Sequence, residues 1–133
     1  MVTRLKSTAT AFQGQLAPIG CIMAYAGASA PAGWVFCDGA ALSRTAYATL
    51  FGQLSTSFGA GDGSTTFNVP DIRGRIMVGK DDMGSGAASR VTTASDGLDG
   101  GTLAAAGAKV VETDAGKSQG VVVHYIIRAK GSD

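Results

Sequence analysis

Fifty consecutive residues, Pro31 to Lys80, leave this chain little freedom in how it folds: PAGWVFCDGAALSRTAYATLFGQLSTSFGAGDGSTTFNVPDIRGRIMVGK. Glycines, prolines and turn-forming pairs interrupt the segment every few residues, so every element within it must be short. Trp34-Val35-Phe36-Cys37 is an apolar, strand-like run closed by the Asp38-Gly39 turn pair. Ser43 is placed to cap a helix, and Tyr47, Leu50, Phe51 and Leu54 follow at helical spacing. Gly52 inside that pattern costs about 1 kcal/mol relative to Ala, so the helix must be held by its packed face. Gly59 to Ser64 predicts a loop leading into an extended Thr66 to Val69. Pro70 ends that piece because it has no amide to give a ladder. Arg75-Ile76-Met77-Val78 predicts one more short strand.

The flanks differ in character. Residues 1–17 show neither helical nor strand periodicity and are rich in Thr, Ala, Ser and Gln, which predicts an arm ahead of a domain over 18–133. Pro18 to Tyr25, PIGCIMAY, predicts a buried strand. Residues 84–118 form a Gly/Ala-rich excursion of small side chains with few periodic apolar positions. Val121 to Ile127, VVVHYII, is nearly continuous β-branched sequence, which predicts a strand buried on both faces, central in a sheet or at a subunit interface. A chain of 133 residues makes one domain, and much of its 45% hydrophobic content is alanine, so the core is small or shared between copies. The expected fold class is α+β: small, mostly β, with one main helix and a buried C-terminal strand, completed by oligomerisation.

Charge and targeting signals narrow the partners. Eleven basic residues against ten acidic ones give a net charge of +1, too little to steer the chain toward nucleic acid or an anionic membrane. No apolar run approaches the roughly 20 residues of a spanning helix, and the start lacks the charged and apolar blocks of a leader, so a soluble, unexported chain is expected. Cys21 and Cys37 are too few for a disulfide framework, and both are expected as reduced core residues.

No catalytic constellation stands out. Gly74, four residues and Gly79-Lys80 imitate a phosphate loop, but Asp81 occupies the position where a Ser or Thr hydroxyl must hold magnesium. The glycines from Gly59 to Gly63 could form an anion nest, but a strand follows them where a helix N-terminus would be needed, and a tight connection is the simpler use. Cys37, His124 and an Asp could be imagined as a nucleophilic triad, but a thiol among Trp34, Val35 and Phe36 should have a raised pKa and be inert. Asp62, Asp81, Asp82, Asp96 and Asp99 lack the alternating pattern of a calcium loop and are expected as solvated carboxylates. Arg73 and Arg75, with Asp71 and Asp38 nearby, are expected to form a structural clamp of guanidinium and carboxylate groups. Glycoside hydrolysis needs two opposed carboxylates. Glu112 is the single Glu, and the aspartates fall in small-residue loops.

Three patterns stand in order: P-x-G-W-x-x-C-D-G at Pro31 to Gly39, L-S-R-x-x-Y-x-x-L-F at Leu42 to Phe51, and F-G-x-G-D-G-S-T-T-F-x-x-P-D-x-R-G-R at Phe58 to Arg75. Together they resemble the phage tail collar domain of short tail fibres and microcystin-dependent-protein-like sequences. The resemblance implies a virion structural protein without enzymatic activity: a homotrimeric tail fibre, tail-tip or baseplate-associated module, made in the host cytoplasm and carried on the virion. It would attach to other tail or baseplate proteins through residues 1–17 and help bind a host receptor. Val121, Val123, Tyr125 and Ile127 are the expected oligomer interface. Asp82, Arg90, Asp96, Asp99 and Lys109 are the candidate receptor contacts, with host cell-surface glycan as the expected ligand class. No cofactor is expected beyond an axial metal ion. His124 is the only histidine, so three copies about an axis would be needed to bring three imidazoles to a zinc-like ion. Related tail fibre tips hold metal through clustered histidines of three chains, in a tip region that is short here. The alternative readings are a carbohydrate-binding module or a glycan-degrading tail-tip enzyme.

Overall fold

The C-terminal β-branched run forms strand β5, His124–Arg128, and a computed structural model places it in the middle of a three-stranded antiparallel sheet. The structure describes residues 17–84, 86–91, 98–107 and 120–131. On one side of β5 lies β1, Ile22–Tyr25, in register from Ile22↔Ile127 to Tyr25↔His124. On the other lies β2, Trp34–Phe36, with Val35↔Ile127 and Phe36↔Ile126. Successive residues of a strand face opposite sides of the sheet. Ile126 and Ile127 are both buried, at 4% and 1% exposure, so β5 is covered on both faces as its sequence requires.

The strand is shorter than its sequence predicts. Tyr25 is the last β1 residue to pair, and on the β2 side the ladder continues only to Cys37, whose amide donates to Tyr125 O. Among the described residues no strand pairs with Val121, Val122 or Val123, and all three are exposed outside the strand. The strand predicted over Pro18 to Tyr25 is also trimmed. Cys21 N donates to Pro18 O and Gly20 adopts φ +93°, so the first half is a turn that delivers the chain to β1.

Strands β3, Ala41–Ser43, and β4, Thr66–Asn68, form a second, two-stranded antiparallel sheet with Leu42 opposite Phe67. Helix α1, Ala48–Leu54, buries Leu50 and Leu54, and Phe51 packs on the fully buried Phe67 with ring centroids 5.2 Å apart. Ser43 does not cap this helix. It ends β3, and its hydroxyl accepts from Ala46 N at 3.2 Å while its carbonyl accepts from Tyr47 N at 3.0 Å. Those bonds close a separate turn, and α1 begins one turn later at Tyr47 without a side-chain cap. Leu50, Leu54, Phe67, Val69, Ile126 and Ile127 make up most of the buried apolar core. The small α+β class, with one short helix among the described residues, is therefore the observed one.

Two compact units divide the chain: residues 1–71 with 123–133, which contain both sheets and α1, and residues 72–122. In the second unit the strand predicted at Arg75 to Val78 is absent; Ile76, Met77 and Val78 are exposed and have no ladder partner among the described residues. A strand propensity without an adjacent edge leaves no strand. The described part of 84–118 forms turns and irregular backbone, as its composition predicts. No helix among the described residues is long and apolar enough to cross a membrane.

Candidate functional site

The glycine loop between α1 and β4 is tied by its own polar side chains into a knot. Asp62 Oδ1 accepts from the amides of Ser64, Thr65 and Thr66 at 2.7–2.9 Å, and Oδ2 accepts from the Thr65 hydroxyl. The Thr65 hydroxyl and then these amides hold the Asp62 carboxyl well below the usual carboxylate range. Gly61 N donates to Asn68 Oδ1 at 2.8 Å, Asp62 N to Thr66 Oγ1 at 2.8 Å, and Gly63 N to Ala60 O at 2.8 Å. Every backbone amide from Gly61 to Thr66 thus has an internal acceptor. A nest whose amides are already taken by a resident carboxylate has none left for phosphate. Asp62 is exposed, as its sequence context suggests, and its carboxylate also organises the loop.

Two further residues fasten the loop to the rest of the first unit. Arg44 donates from Nε to Thr66 O at 2.8 Å and from Nη2 to Ala60 O at 3.2 Å, and its guanidinium lies 4.8 Å over the Phe51 ring. Asn68 Nδ2 donates to Gly39 O at 3.0 Å, joining β4 to the turn that follows β2. Close approach fixes the glycines here. A Cβ on Gly59 would sit 2.4 Å from Asn68 Oδ1, and one on Gly61 would sit 2.1 Å from Thr66 Oγ1.

Asp38 and Asp71 face each other in an isolated antiparallel bridge, and Asp38 Oδ1 accepts from Ala40 N at 3.0 Å. Arg73 and Arg75 are exposed residues of the second unit. Between loop and strand, the guanidinium clamp observed in the first unit is that of Arg44. Sequence reasoning gave it no role, although its place after Leu42-Ser43, in a motif with fixed neighbours, was the available signal.

Cys37 is buried and Cys21 half-buried, and both are free thiols. Burial first, and the neighbouring Asp38 charge second, push the Cys37 thiol up to about 11, which keeps it protonated and unreactive. His124 is exposed at the start of β5. Its Nδ1 lies 2.9 Å from Gly27 O, and its ring packs on Phe36 at 4.7 Å. A carbonyl partner only accepts, so Nδ1 carries the proton and Nε2 is the nitrogen left for another ligand. Among the described residues no three His, Cys, Asp or Glu side chains come together as a metal site.

Of the expected interface residues, Val121 is 87% exposed and Val123 39%, and Val122 between them is 99% exposed. Tyr125 is half-buried, whereas Ile127 is enclosed by its own chain and has almost no surface to give a neighbour. Among the candidate receptor contacts, Asp82 pairs with Lys80. Asp99 accepts from the Thr102 hydroxyl and from Gly101 N, and these bonds lower its pKa. Arg90 is exposed, and its amide donates to Asp81 Oδ1 at 3.0 Å. Asp96 and Lys109 lie outside the described residues, as do residues 1–16 of the arm; Ala17 O accepts from Nη1 of the buried Arg128.

The site is thus a scaffold of short strands, one helix and a self-satisfied glycine loop, with a β-branched run that has no ladder partner among the described residues entering its central strand. No curated protein matches the chain. The model of the phage tail collar domain family matches residues 20–77, from the turn before β1 through the knot to the beginning of the second unit, so this stretch is similar to a phage tail collar domain.

Proposed function

We propose that this chain is a structural component of the phage tail, a tail fibre or tail-tip module that works by assembly, and that it does so as a homotrimer. The observation that carries the reading is Val121-Val122-Val123, a run of β-branched side chains left exposed immediately before the central strand of the sheet. Water is a poor resting place for such a run, and an uncovered β-forming edge is an aggregation hazard that closed symmetry removes. The number three comes from the collar domain's resemblance to trimeric tail fibres. Residues 1–17 attach the module to other tail or baseplate proteins, and the second unit, with Asp82, Arg90, Asp96, Asp99 and Lys109, faces host cell-surface glycan. Asp38, Asp71, Arg73 and Arg75 serve a structural role rather than binding a ligand. A metal ion on the threefold axis would be bound through the Nε2 atoms of His124.

Native mass spectrometry of the full chain tests the assembly and any bound metal together. The expected mass is three chains. Val122 is almost wholly exposed, so Val122→Asp leaves the single-chain core intact and is expected to give monomers by placing a charge in the interface without a partner. An intact trimer for that variant removes the run from the interface.

A further inference from the structure

The second unit wears its apolar side chains on the outside. Leu98 is its buried large hydrophobic residue among those described, whereas Ile76, Met77, Val78, Met83, Val121 and Val122 are exposed. Asp81 ties its described parts together: its amide donates to Gly100 O at 2.7 Å and its carboxylate accepts from Arg90 N.

Two of the exposed runs share a property. Ile76 to Val78 and Val121 to Val123 are both predicted as strand by sequence, and in the single chain neither makes a backbone hydrogen bond among the described residues. We propose that Ile76–Val78 of one copy pairs as a β-strand with Val121–Val123 of the next copy, head to tail around the assembly. This rests on the trimeric reading above and names its contact.

A second copy is the occupant because each chain carries both halves of the pair in equal number, so a closed ring leaves neither half over. Neither run bears a charge, so the pairing desolvates no ionised group. The area is also of the right size. At roughly 100 Å² per fully exposed aliphatic side chain, the two runs with Met83 and Leu103 offer on the order of 500 Å² of apolar surface per copy. A standard interface buries about 800 Å² per partner, a little over half of it apolar.

Paired residues on adjacent strands have Cα atoms about 4.5–5.5 Å apart, within the span of a disulfide. Chains carrying Met77→Cys and chains carrying Val122→Cys, each also Cys21→Ala, are co-expressed, their mass is read by native mass spectrometry, and they are oxidised with copper–phenanthroline. Cys37 is buried and stays out of the reaction. The expected result is a covalent dimer from the mixture and none from either variant alone. A trimeric mass without cross-linking in the mixture overturns the pairing while the trimer stands. Cross-linking of Val122→Cys with itself also overturns it, because the runs then meet like to like. A monomeric mass overturns both.

Discussion

Asn68 holds the glycine-loop knot through two opposite bonds, and substitutions that treat its two ends differently test that arrangement. Asn68→Ala removes the acceptor for Gly61 N at 2.8 Å and the donor to Gly39 O at 3.0 Å. Each net bond is worth about 1 kcal/mol, and half-burial of the site limits rescue by water, so the expected loss is about 2 kcal/mol. With a urea dependence of about 2 kcal/mol per molar, the unfolding midpoint falls by about 1 M. Trp34, the single tryptophan, sits in β2 and reports the transition by fluorescence at fixed protein concentration. Asn68→Asp keeps the acceptor but turns a carboxylate oxygen toward Gly39 O. At neutral pH it should cost more than Asn68→Ala. A protonated carboxyl can donate to Gly39 O, so folding raises this carboxyl's pKa above its unfolded value of about 3.9. The stabilising contribution is complete below that pH and is lost as pH rises through the folded value. Asn68→Asp should therefore recover relative to Asn68→Ala as pH drops toward 3. If Asn68→Ala moves the midpoint by less than a quarter of the expected shift, or Asn68→Asp shows no such recovery, the two bonds do not hold the loop.

Gly61 and Gly63 separate steric contact from backbone strain. Both have positive φ, but a Cβ on Gly61 would fall 2.1 Å from Thr66 Oγ1 and 2.7 Å from the Thr66 carbonyl carbon, whereas one on Gly63 would meet nothing within 4 Å. Gly63→Ala should cost about 1–2 kcal/mol and Gly61→Ala about 3 kcal/mol or more in the same urea assay; equal costs would refute the close approach. With its thiol near 11, Cys37 at pH 8 should alkylate about 100-fold more slowly than an ordinary thiol until urea unfolds the chain, and rapid labelling of the folded protein would contradict its burial. Folding lowers the Asp62 pKa, so its contribution is present above the unfolded carboxylate value and is lost as pH falls through the folded one. Asp62→Asn should flatten the acid limb of the melting-temperature profile, and an unchanged limb would place the acid sensitivity elsewhere.

Local features were legible in the residues themselves. Asp38-Gly39 is a turn, Gly59 to Ser64 a loop, and the apolar spacing from Leu50 to Leu54 a helix, because each follows from backbone freedom or side-chain period within a few positions. The start of the helix was not legible, since Ser43 has the chemistry of a cap and only its pairing with Thr66 in β3–β4 commits it to a strand. Arg44, Asp62 and Asn68 escaped notice as a set for a related reason: their acceptors and donors lie up to 29 residues away.

Strand propensity shows the limit most clearly. VVVHYII and RIMV both have the residues of a strand, but a ladder needs a neighbouring edge, and the edge is chosen by the whole fold. The sequence by itself determined that residues 121–127 would seek a strand's environment and that the glycine loop would be tight. Only the tertiary structure decided that β5 enters between β1 and β2, that its ladder ends at His124, and that three valines and Ile76–Val78 are left without ladder partners among the described residues, because hydrogen-bond partners in a sheet are assigned by non-local packing.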